Sequence, residues 1–180
     1  DNTSVIPELR GLVIASAIRG KLPKAFDYLL SLEESTSDVS LKPELMGSLC
    51  LTDSPKQISM LLERIKDPNK VRAHDVDHWL AYLLRSRHAG KLAWDWMRDN
   101  WSWLEKTFGS DKSYDYLPRY AASAFNTREL MEQYKEFFTP LKDQPALARN
   151  IEMGIEELEN RITWIEKDHK TVSAFFKDYR

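Results

Sequence analysis

The segment from Pro145 to Lys167, PALARNIEMGIEELENRITWIEK, decides how the rest of the chain is interpreted. Its apolar residues recur at alternating steps of four and three, at Leu147, Ile151, Ile155, Leu158, Ile162 and Ile165. That spacing places one apolar side chain per helical turn on a single face, whereas a half-buried strand would alternate at every second residue. The pattern therefore predicts a long amphipathic helix with one seam against a core.

The same helical periodicity continues along nearly the whole chain, and no segment shows a convincing strand pattern. We predict about ten helices in about five antiparallel pairs, each pair about 35 to 40 residues long, which is the size of repeats that stack into solenoids. The predicted fold class is all-α, a superhelical array of antiparallel helix pairs resembling a HEAT-like α-solenoid. Because no linker is long enough to divide it, residues 1–180 are expected to form a single helical-repeat domain.

Two helix starts have a sequence signature. Ser54 is followed by Pro55 and, three residues on, by Gln57, which is the arrangement of a capping box with proline at the first helical position. Asn126 and Glu129 have the same spacing. We therefore predict that Ser54 and Asn126 cap the helices that follow them.

The extents and buried faces of other helices are also predicted. One helix is expected to run from about Lys91 to Phe108, and another to cover about Tyr114 to Ser123. A last short helix, separate from the long one, is expected to carry Val172, Phe175 and Phe176. A helix over about Asp75 to Arg87 is expected to bury Val76, Trp79, Leu80, Leu83 and Leu84. An array cut between repeats exposes a face, so the first helix pair is expected to present Leu9, Val13 and Phe26 to solvent or to a partner.

Composition limits the function classes. The 180 residues are 42% hydrophobic and 30% charged, with a net charge of -2 and a pI near 6.1. Nucleic-acid binders carry a basic excess that this chain lacks, so no nucleic-acid partner is expected. No apolar run reaches 18 residues, so no membrane span is expected. The single cysteine, Cys50, lies in a largely apolar stretch and is interpreted as a small buried hydrophobe, which favours a reducing, cytoplasmic location.

The run His74-Asp75-Val76-Asp77-His78 is the strongest candidate for a metal site. Histidines at i and i+4 share one helical face, which is the zinc-chelating spacing of H-E-x-x-H enzymes. Here an aspartate occupies the place of the longer glutamate, and no glutamate follows at the spacing of a third ligand. An acidic residue at a helix start is also favoured by the macrodipole. We therefore favour an ordinary helix start and assign no metal ligand and no metal to this chain.

No catalytic residue is assigned either. The chain has no G-x-S-x-G serine and no glycine-rich phosphate loop, and Cys50 has no nucleophile signature around it. Catalysis within this chain is not expected.

Three patterns leave two interpretations open. Five of the six tryptophans lie between Trp79 and Trp103, which indicates aromatic packing between helices or an aromatic wall facing a ligand. Cations cluster at one helix end, where they either complement the helix dipole or form a patch for an acidic neighbour or a peptide carboxylate. The members of this cluster are Arg85, Arg87, His88 and Lys91. His78, Tyr82 and Arg85 follow at steps of four and three, so they form either a substrate-facing stripe or an ordinary solvated face.

A family resemblance rests on motifs that occur in order along nearly the whole chain. The most specific is Ala93-Trp94-Asp95-Trp96 followed by Asn100-Trp101. The others are Leu49-Cys50-Leu51-Thr52, Val71-Arg72 with Asp75, Phe125-Asn126-Thr127, Phe137-Phe138, and Arg149 followed by Glu156, Arg161 and Trp164. In this order they resemble the C-terminal helical domain of the aminopeptidase N family of zinc aminopeptidases, which includes puromycin-sensitive and endoplasmic-reticulum enzymes.

The resemblance implies a non-catalytic domain that shapes substrate access and supports an upstream catalytic domain of the same polypeptide. In such enzymes the zinc motif H-E-x-x-H and the motif G-x-M-E-N lie in that upstream domain, so zinc is expected there and peptides are the expected substrates. It also implies that this chain is the C-terminal portion of a longer helical domain. Peptide-trimming members have an arginine at the turn between the third and fourth helices that holds peptide C-termini. Here the matching residue is Leu51. The alternative function is an independent helical-repeat scaffold that binds a partner protein.

Overall fold

A computed structural model of the chain describes residues 5–177, and within that range every regular element is helical. This confirms the all-α prediction. No helix of this range combines the length and the apolar character that a bilayer crossing requires. The helices are α1 Pro7–Arg19, α2 Ala25–Ser35, α3 Leu41–Leu49, α4 Pro55–Arg64, α5 Val76–Arg85, α6 Gly90–Asp99, α7 Trp101–Phe108, α8 Lys112–Asp115, α9 Leu117–Ala124, α10 Arg128–Phe138 and α11 Pro145–Lys177.

The chain divides into two compact units, Asp1–Asn100 and Trp101–Arg180. In the first unit α3 is central, because it packs against α1, α2 and α5, while α6 packs against α4 and α5. Leu45 and Leu49 of α3 are completely buried. The predicted inward face of α5 is confirmed, since Val76, Trp79, Leu80, Leu83 and Leu84 are all buried.

The first helix exposes much of its apolar surface. Ile14 and Ile18 are buried, whereas Leu9 and Val13 are each 48% exposed. These two exposures match the expectation for the first helix pair. Phe26 does not, because it is only 6% exposed and lies, with Leu29, among the buried residues of α2, which packs on α3.

A buried charge network joins α2 to α4. The Arg64 guanidinium lies 2.8 Å from Glu33 Oε2 and 2.6 Å from Glu34 Oε1, and the side chains of Arg64 and Glu33 are 4% and 5% exposed. Lys42 approaches the same Glu33 carboxylate at 3.9 Å. Burial raises the pKa of Glu33 above its ordinary value, although Arg64 and Lys42 act to lower it. Removing one partner of such a pair is costly because it leaves the other charge buried and uncompensated.

In the second unit α11 packs against α8, α9 and α10. The predicted seam is confirmed at Leu147, Ile151, Leu158 and Ile162, which are buried, while Ile155 and Ile165 are half-buried. Arg161 of α11 donates hydrogen bonds of 2.7 Å to the carbonyl oxygens of Ala122 and Phe125, at the carboxyl end of α9. This guanidinium therefore adds a side-chain donor for carbonyl groups at the end of α9.

Several predicted boundaries are wrong for local reasons. The helix expected over Lys91–Phe108 is interrupted at Asn100, whose side-chain amide donates to the Trp96 carbonyl at 2.7 Å and so ends α6. The helix expected around Tyr114 to Ser123 is divided at Tyr116 into α8 and α9. The separate last helix does not exist, because no glycine or proline follows Lys167 and α11 continues to Lys177.

Capping also differs in detail. Ser54 occupies the N-cap of α4, but its side chain makes no capping hydrogen bond; instead the Thr52 hydroxyl donates to the Gln57 side-chain carbonyl. At α10 the cap is Thr127 rather than Asn126, and the Thr127 hydroxyl accepts from the Leu130 N–H at 3.3 Å. A threonine side chain thus makes the contact expected of the predicted cap, at Thr52 two residues before Ser54 and at Thr127 directly after Asn126.

Candidate functional site: a basic cleft in the first unit

The residues of the predicted substrate-facing stripe lie on α5 in different surroundings. The His78 side chain is 62% exposed, and its Nδ1 lies 3.0 Å from Asp77 Oδ1. Tyr82 is half-buried because its ring lies on Gly47 of α3, close enough that a Cβ there would sit 3.4 Å from the ring edge. Arg85 is exposed at the carboxyl end of α5. Arg85 borders an open cleft.

That cleft has a volume of about 460 Å³. It is formed where the carboxyl ends of α1 and α5 meet the segment that follows α3. Its wall consists of Ile18, Arg19, Leu51, Asp53, Arg85, Ser86, Arg87 and His88. We call it the basic cleft. Its volume lies within the range of small-ligand sites.

The turn after α5 holds two of the basic side chains in place. The Ala89 N–H donates to the buried Ser86 hydroxyl at 3.4 Å, and the Gly90 N–H donates to the Ser86 carbonyl at 2.8 Å. A Cβ on Gly90 would lie only 2.7 Å from the Leu84 carbonyl oxygen, so glycine is required for this close approach. Arg87 and His88 are therefore presented from a tightly bonded turn.

The charges of the basic cleft are unbalanced. Arg19, Arg85 and Arg87 are positive, while Asp53 is the only acidic residue of the wall. The Asp53 carboxylate already has a partner, because the Lys21 ammonium lies 2.6 Å from it. Its hydrogen bond with Lys21, supported by the nearby charge of His88, holds the pKa of Asp53 below its usual value. Asp53 therefore stays ionised and paired, and the cleft retains an excess of positive charge that suits a carboxylate.

Comparison with known proteins assigns the chain to a family. A family model described as the ERAP1-like C-terminal domain matches residues 1–160. The chain belongs to the ERAP1-like C-terminal domain family. This assignment confirms the resemblance that the tryptophan motif and its companions indicated.

Relatives of this ERAP1-like domain are much longer proteins. Aminopeptidase N of Lactococcus lactis subsp. lactis is 31% identical over 182 residues, which cover 99% of this chain and 21% of that protein. Aminopeptidase N of Lactobacillus helveticus is 30% identical over 147 residues, covering 82% and 17%. Endoplasmic reticulum aminopeptidase 1 of Mus musculus is 26% identical over 162 residues, covering 89% and 17%. The chain thus spans about a fifth of the length of these relatives.

Leu51 lies in the wall of the basic cleft of this ERAP1-like domain. The resemblance to peptide-trimming members implies an arginine at the turn where this chain has Leu51. The cations of the cleft come instead from the ends of α1 and α5, at Arg19, Arg85 and Arg87. A carboxylate would therefore be contacted from the sides of the cleft rather than from the turn after α3.

The two histidines of the candidate metal motif do not share a helical face in this ERAP1-like domain. His74 belongs to a short 3-10 turn, Ala73–Asp75, whereas His78 lies in α5. His74 Nε2 is 3.8 Å from Asp75, and each imidazole thus has a neighbouring carboxylate of its own. Among residues 5–177, no group of three or more histidine, cysteine or acidic side chains is arranged to hold a metal.

The tryptophans support packing rather than a ligand-facing wall. Trp79, Trp94, Trp96 and Trp101 are all buried, with exposures between 0% and 8%. The Arg98 guanidinium lies 5.1 Å from the centre of the Trp94 ring, and the Arg64 guanidinium lies 5.7 Å from the centre of the Trp79 ring.

Cys50 is buried, as predicted, and burial raises the pKa of its thiol well above the usual range.

Sequence reasoning found only part of the basic cleft. Arg85, Arg87 and His88 were grouped by their adjacency in sequence, and the structure keeps them together. Lys91 is not part of the wall; its ammonium lies 3.4 Å from Asp95 on α6. Arg19 was missed, since only the packing of α1 against α3 brings the end of α1 to this cleft.

Proposed function

We propose that this domain is a non-catalytic part of a zinc aminopeptidase, where it borders the path of peptide substrates and supports the catalytic domain. Two observations support the proposal. The family model is that of a C-terminal domain, and the relatives that match nearly all of this chain are aminopeptidases about five times its length. The basic cleft carries the substrate-access part of the proposal, because it is open, cationic and of ligand size.

The cleft is suited to binding a peptide. Its guanidinium groups can donate hydrogen bonds to peptide carbonyl oxygens and to carboxylates. None of its wall residues is a cysteine, and Ser86 is buried and accepts a hydrogen bond from the Ala89 N–H. In this proposal zinc and the peptide-cleaving groups belong to the upstream domain of the same polypeptide.

The exposed apolar residues of α1 and of Ile6, which precedes it, supply a surface for that domain. Ile6, Leu9, Leu12 and Val13 are between 48% and 62% exposed. Beside them a groove of about 230 Å³ runs between α1 and α2, with Val13, Ile14, Tyr28 and Leu29 in its wall. Apolar patches of this kind mark interaction sites, and contact with the remainder of the polypeptide would bury them.

The experiment compares two substrates of the full-length enzyme. In the Arg85→Ala variant, kcat/KM for a peptide of about ten residues is expected to fall roughly tenfold, the value of one charge-assisted hydrogen bond. Turnover of a single-residue chromogenic substrate is expected to remain within about twofold, because so short a molecule does not reach the cleft. Lys91→Ala is the matched control, since Lys91 pairs with Asp95 outside the cleft wall.

The two outcomes against the proposal are distinct. Equal losses on both substrates would indicate a role of Arg85 in folding or domain packing. Unchanged kinetics on both would mean that Arg85 does not contact substrate, which removes the observation linking the cleft to substrate access.

An independent protein-interaction scaffold is the second candidate function. The observation that favours it is an exposed apolar stripe on the last turns of α11, where Trp164, Val172, Phe175 and Phe176 are between 50% and 64% exposed. The coding sequence upstream of Asp1 distinguishes the two candidate functions. An upstream region encoding H-E-x-x-H supports the aminopeptidase, and a stop codon directly upstream of Asp1 supports the scaffold.

A further inference from the structure

The second unit contains its own open cleft, of about 460 Å³. Two helical stripes face each other across it. One stripe comes from α8 and α9, with Lys112, Asp115, Tyr116 and Arg119 at steps of three, one and three. The other comes from the first turns of α11, and consists of Pro145, Ala146, Arg149, Asn150 and Met153. Because α11 packs along α8 and α9, this wall belongs to the packed body of the unit.

The ion pairs around this cleft leave one cation uncompensated. Lys112 lies 3.2 Å from Asp115. Arg119 donates through Nε and an amino group to Glu157 Oε1, at 3.1 and 2.7 Å. Arg149 is exposed on α11, and no carboxylate within residues 5–177 lies at ion-pair distance from it. The cleft therefore has one net positive charge that can pair with a ligand, and this charge is on the Arg149 guanidinium.

The other wall residues suit an apolar body attached to that anion. Tyr116 is 44% exposed and stacks on Tyr120, with ring centroids 6.4 Å apart and an angle of 29° between the rings. Met153, Ala146 and Pro145 add apolar surface, and the Asn150 amide adds a donor and an acceptor beside Arg149. The wall thus combines apolar surface with convergent polar groups, as small-molecule pockets do.

We propose that this cleft is a binding site for a monocarboxylate with an apolar or aromatic body, and that Arg149 is its anchor. The charge balance favours a single carboxylate over a phosphate dianion, because only one positive charge is without a protein partner. A guanidinium also matches the two oxygens of a carboxylate in a bidentate arrangement. The inference does not rest on the proposed function, since it concerns a different unit and different residues.

The test uses amide NMR spectra of the 180-residue chain. The probe is N-acetylphenylalanine; its neutral amide and inorganic phosphate are titrated separately. The acid is expected to produce saturable shifts centred on Tyr116, Arg149 and Asn150, at millimolar concentration. The neutral amide is expected to bind at least tenfold more weakly, and phosphate more weakly than the acid.

Variants then assign the binding to the guanidinium. Arg149→Gln is expected to weaken the binding of N-acetylphenylalanine at least tenfold, equivalent to about 1.4 kcal/mol. Arg149→Lys is expected to keep part of the affinity. Arg128→Gln is the matched control, because Arg128 is an exposed arginine of α10 that pairs with Glu166. Each variant is verified to be folded by its own amide spectrum, which should have the peak dispersion of the wild-type spectrum.

Four results would overturn the assignment. They are an absence of saturable shifts up to about 20 mM acid, equal binding of acid and amide, tighter binding of phosphate than of the acid, and unchanged affinity in Arg149→Gln.

Discussion

Replacing Gly154 with alanine tests the packing of the second unit at its tightest point. Gly154 is buried in α11, and a Cβ built there would overlap the Tyr134 hydroxyl. It would also lie 3.0 Å from Tyr134 Cζ and 3.1 Å from Ala122 Cβ. Tyr134 and Ala122 are themselves completely buried, so neither can move aside into solvent. The helix α11 would have to shift away from α9 and α10.

Two effects of opposite sign determine the magnitude. Overpacking a filled core costs about 1–3 kcal/mol, and overlap with a rigid ring belongs at the upper end of that range. Replacing a helical glycine with alanine gains about 1 kcal/mol of helix propensity. We therefore expect Gly154→Ala to lower the free energy of unfolding by about 2 kcal/mol. With a urea dependence of about 2 kcal/mol per molar, the midpoint of unfolding would fall by about 1 M.

The assay is urea unfolding followed by far-ultraviolet circular dichroism, with two companion variants. Gly11→Ala is the control, because the nearest atom to its added Cβ is the Glu44 side chain at 3.6 Å. It is expected to leave stability unchanged or to raise it by up to about 1 kcal/mol. Adding Tyr134→Phe to Gly154→Ala removes the overlapping hydroxyl and is expected to recover part of the loss. If Gly154→Ala is as stable as the original chain, the described packing of α11 against Tyr134 is wrong.

Two further predictions concern the first unit. Arg64→Met is expected to destabilise the chain by about 3–5 kcal/mol at pH 7.5, because it leaves the Glu33 carboxylate buried without its main partner. Loss of Arg64 raises the already elevated pKa of Glu33 further, so protonation is favoured in the folded state and the deficit should shrink as the pH falls towards 5. Arg128→Met removes an exposed pair and should destabilise the chain far less than Arg64→Met, with little pH dependence. Urea unfolding of both variants at pH 7.5 and pH 5 is the measurement, and an Arg64→Met deficit that does not change with pH would contradict the buried-charge explanation. Exposed Leu9 and Val13 should let the isolated chain bind an environment-sensitive hydrophobic dye, and Leu9→Ser with Val13→Ser should reduce the signal at least twofold; a chain that is monomeric and binds no dye would contradict an unpartnered α1 face.

Helix identity and the buried faces were predictable from sequence because they depend on local spacing. The period of three and four in α5 places Trp79, Leu80 and Leu83 on one side, and all three are buried. The predicted ends of helices were wrong where a single side-chain hydrogen bond determines the end. The break after α6 depends on a hydrogen bond from the Asn100 side chain to the Trp96 carbonyl at the end of that helix. The sequence shows the asparagine but does not show which backbone group its side chain contacts.

The site was predictable only as far as its residues are neighbours in the sequence. Arg85, Arg87 and His88 lie within four residues at one helix end, so their clustering is a local property. Arg19 and Leu51 reach the same cleft only through the packing of α1 on α3, which periodicity alone does not specify. The burial of Phe26 was not predictable for the same reason, since it depends on the packing of α2 against α3.

The central claim, that this chain contributes no catalytic group, has a direct measurement. The 180-residue chain is incubated with zinc and an aminoacyl chromogenic substrate, and release of the chromophore is followed against a buffer blank containing zinc. The proposal predicts a rate equal to that blank. Metal-dependent turnover well above it, abolished by His74→Ala, would place a catalytic centre within this chain and contradict the claim.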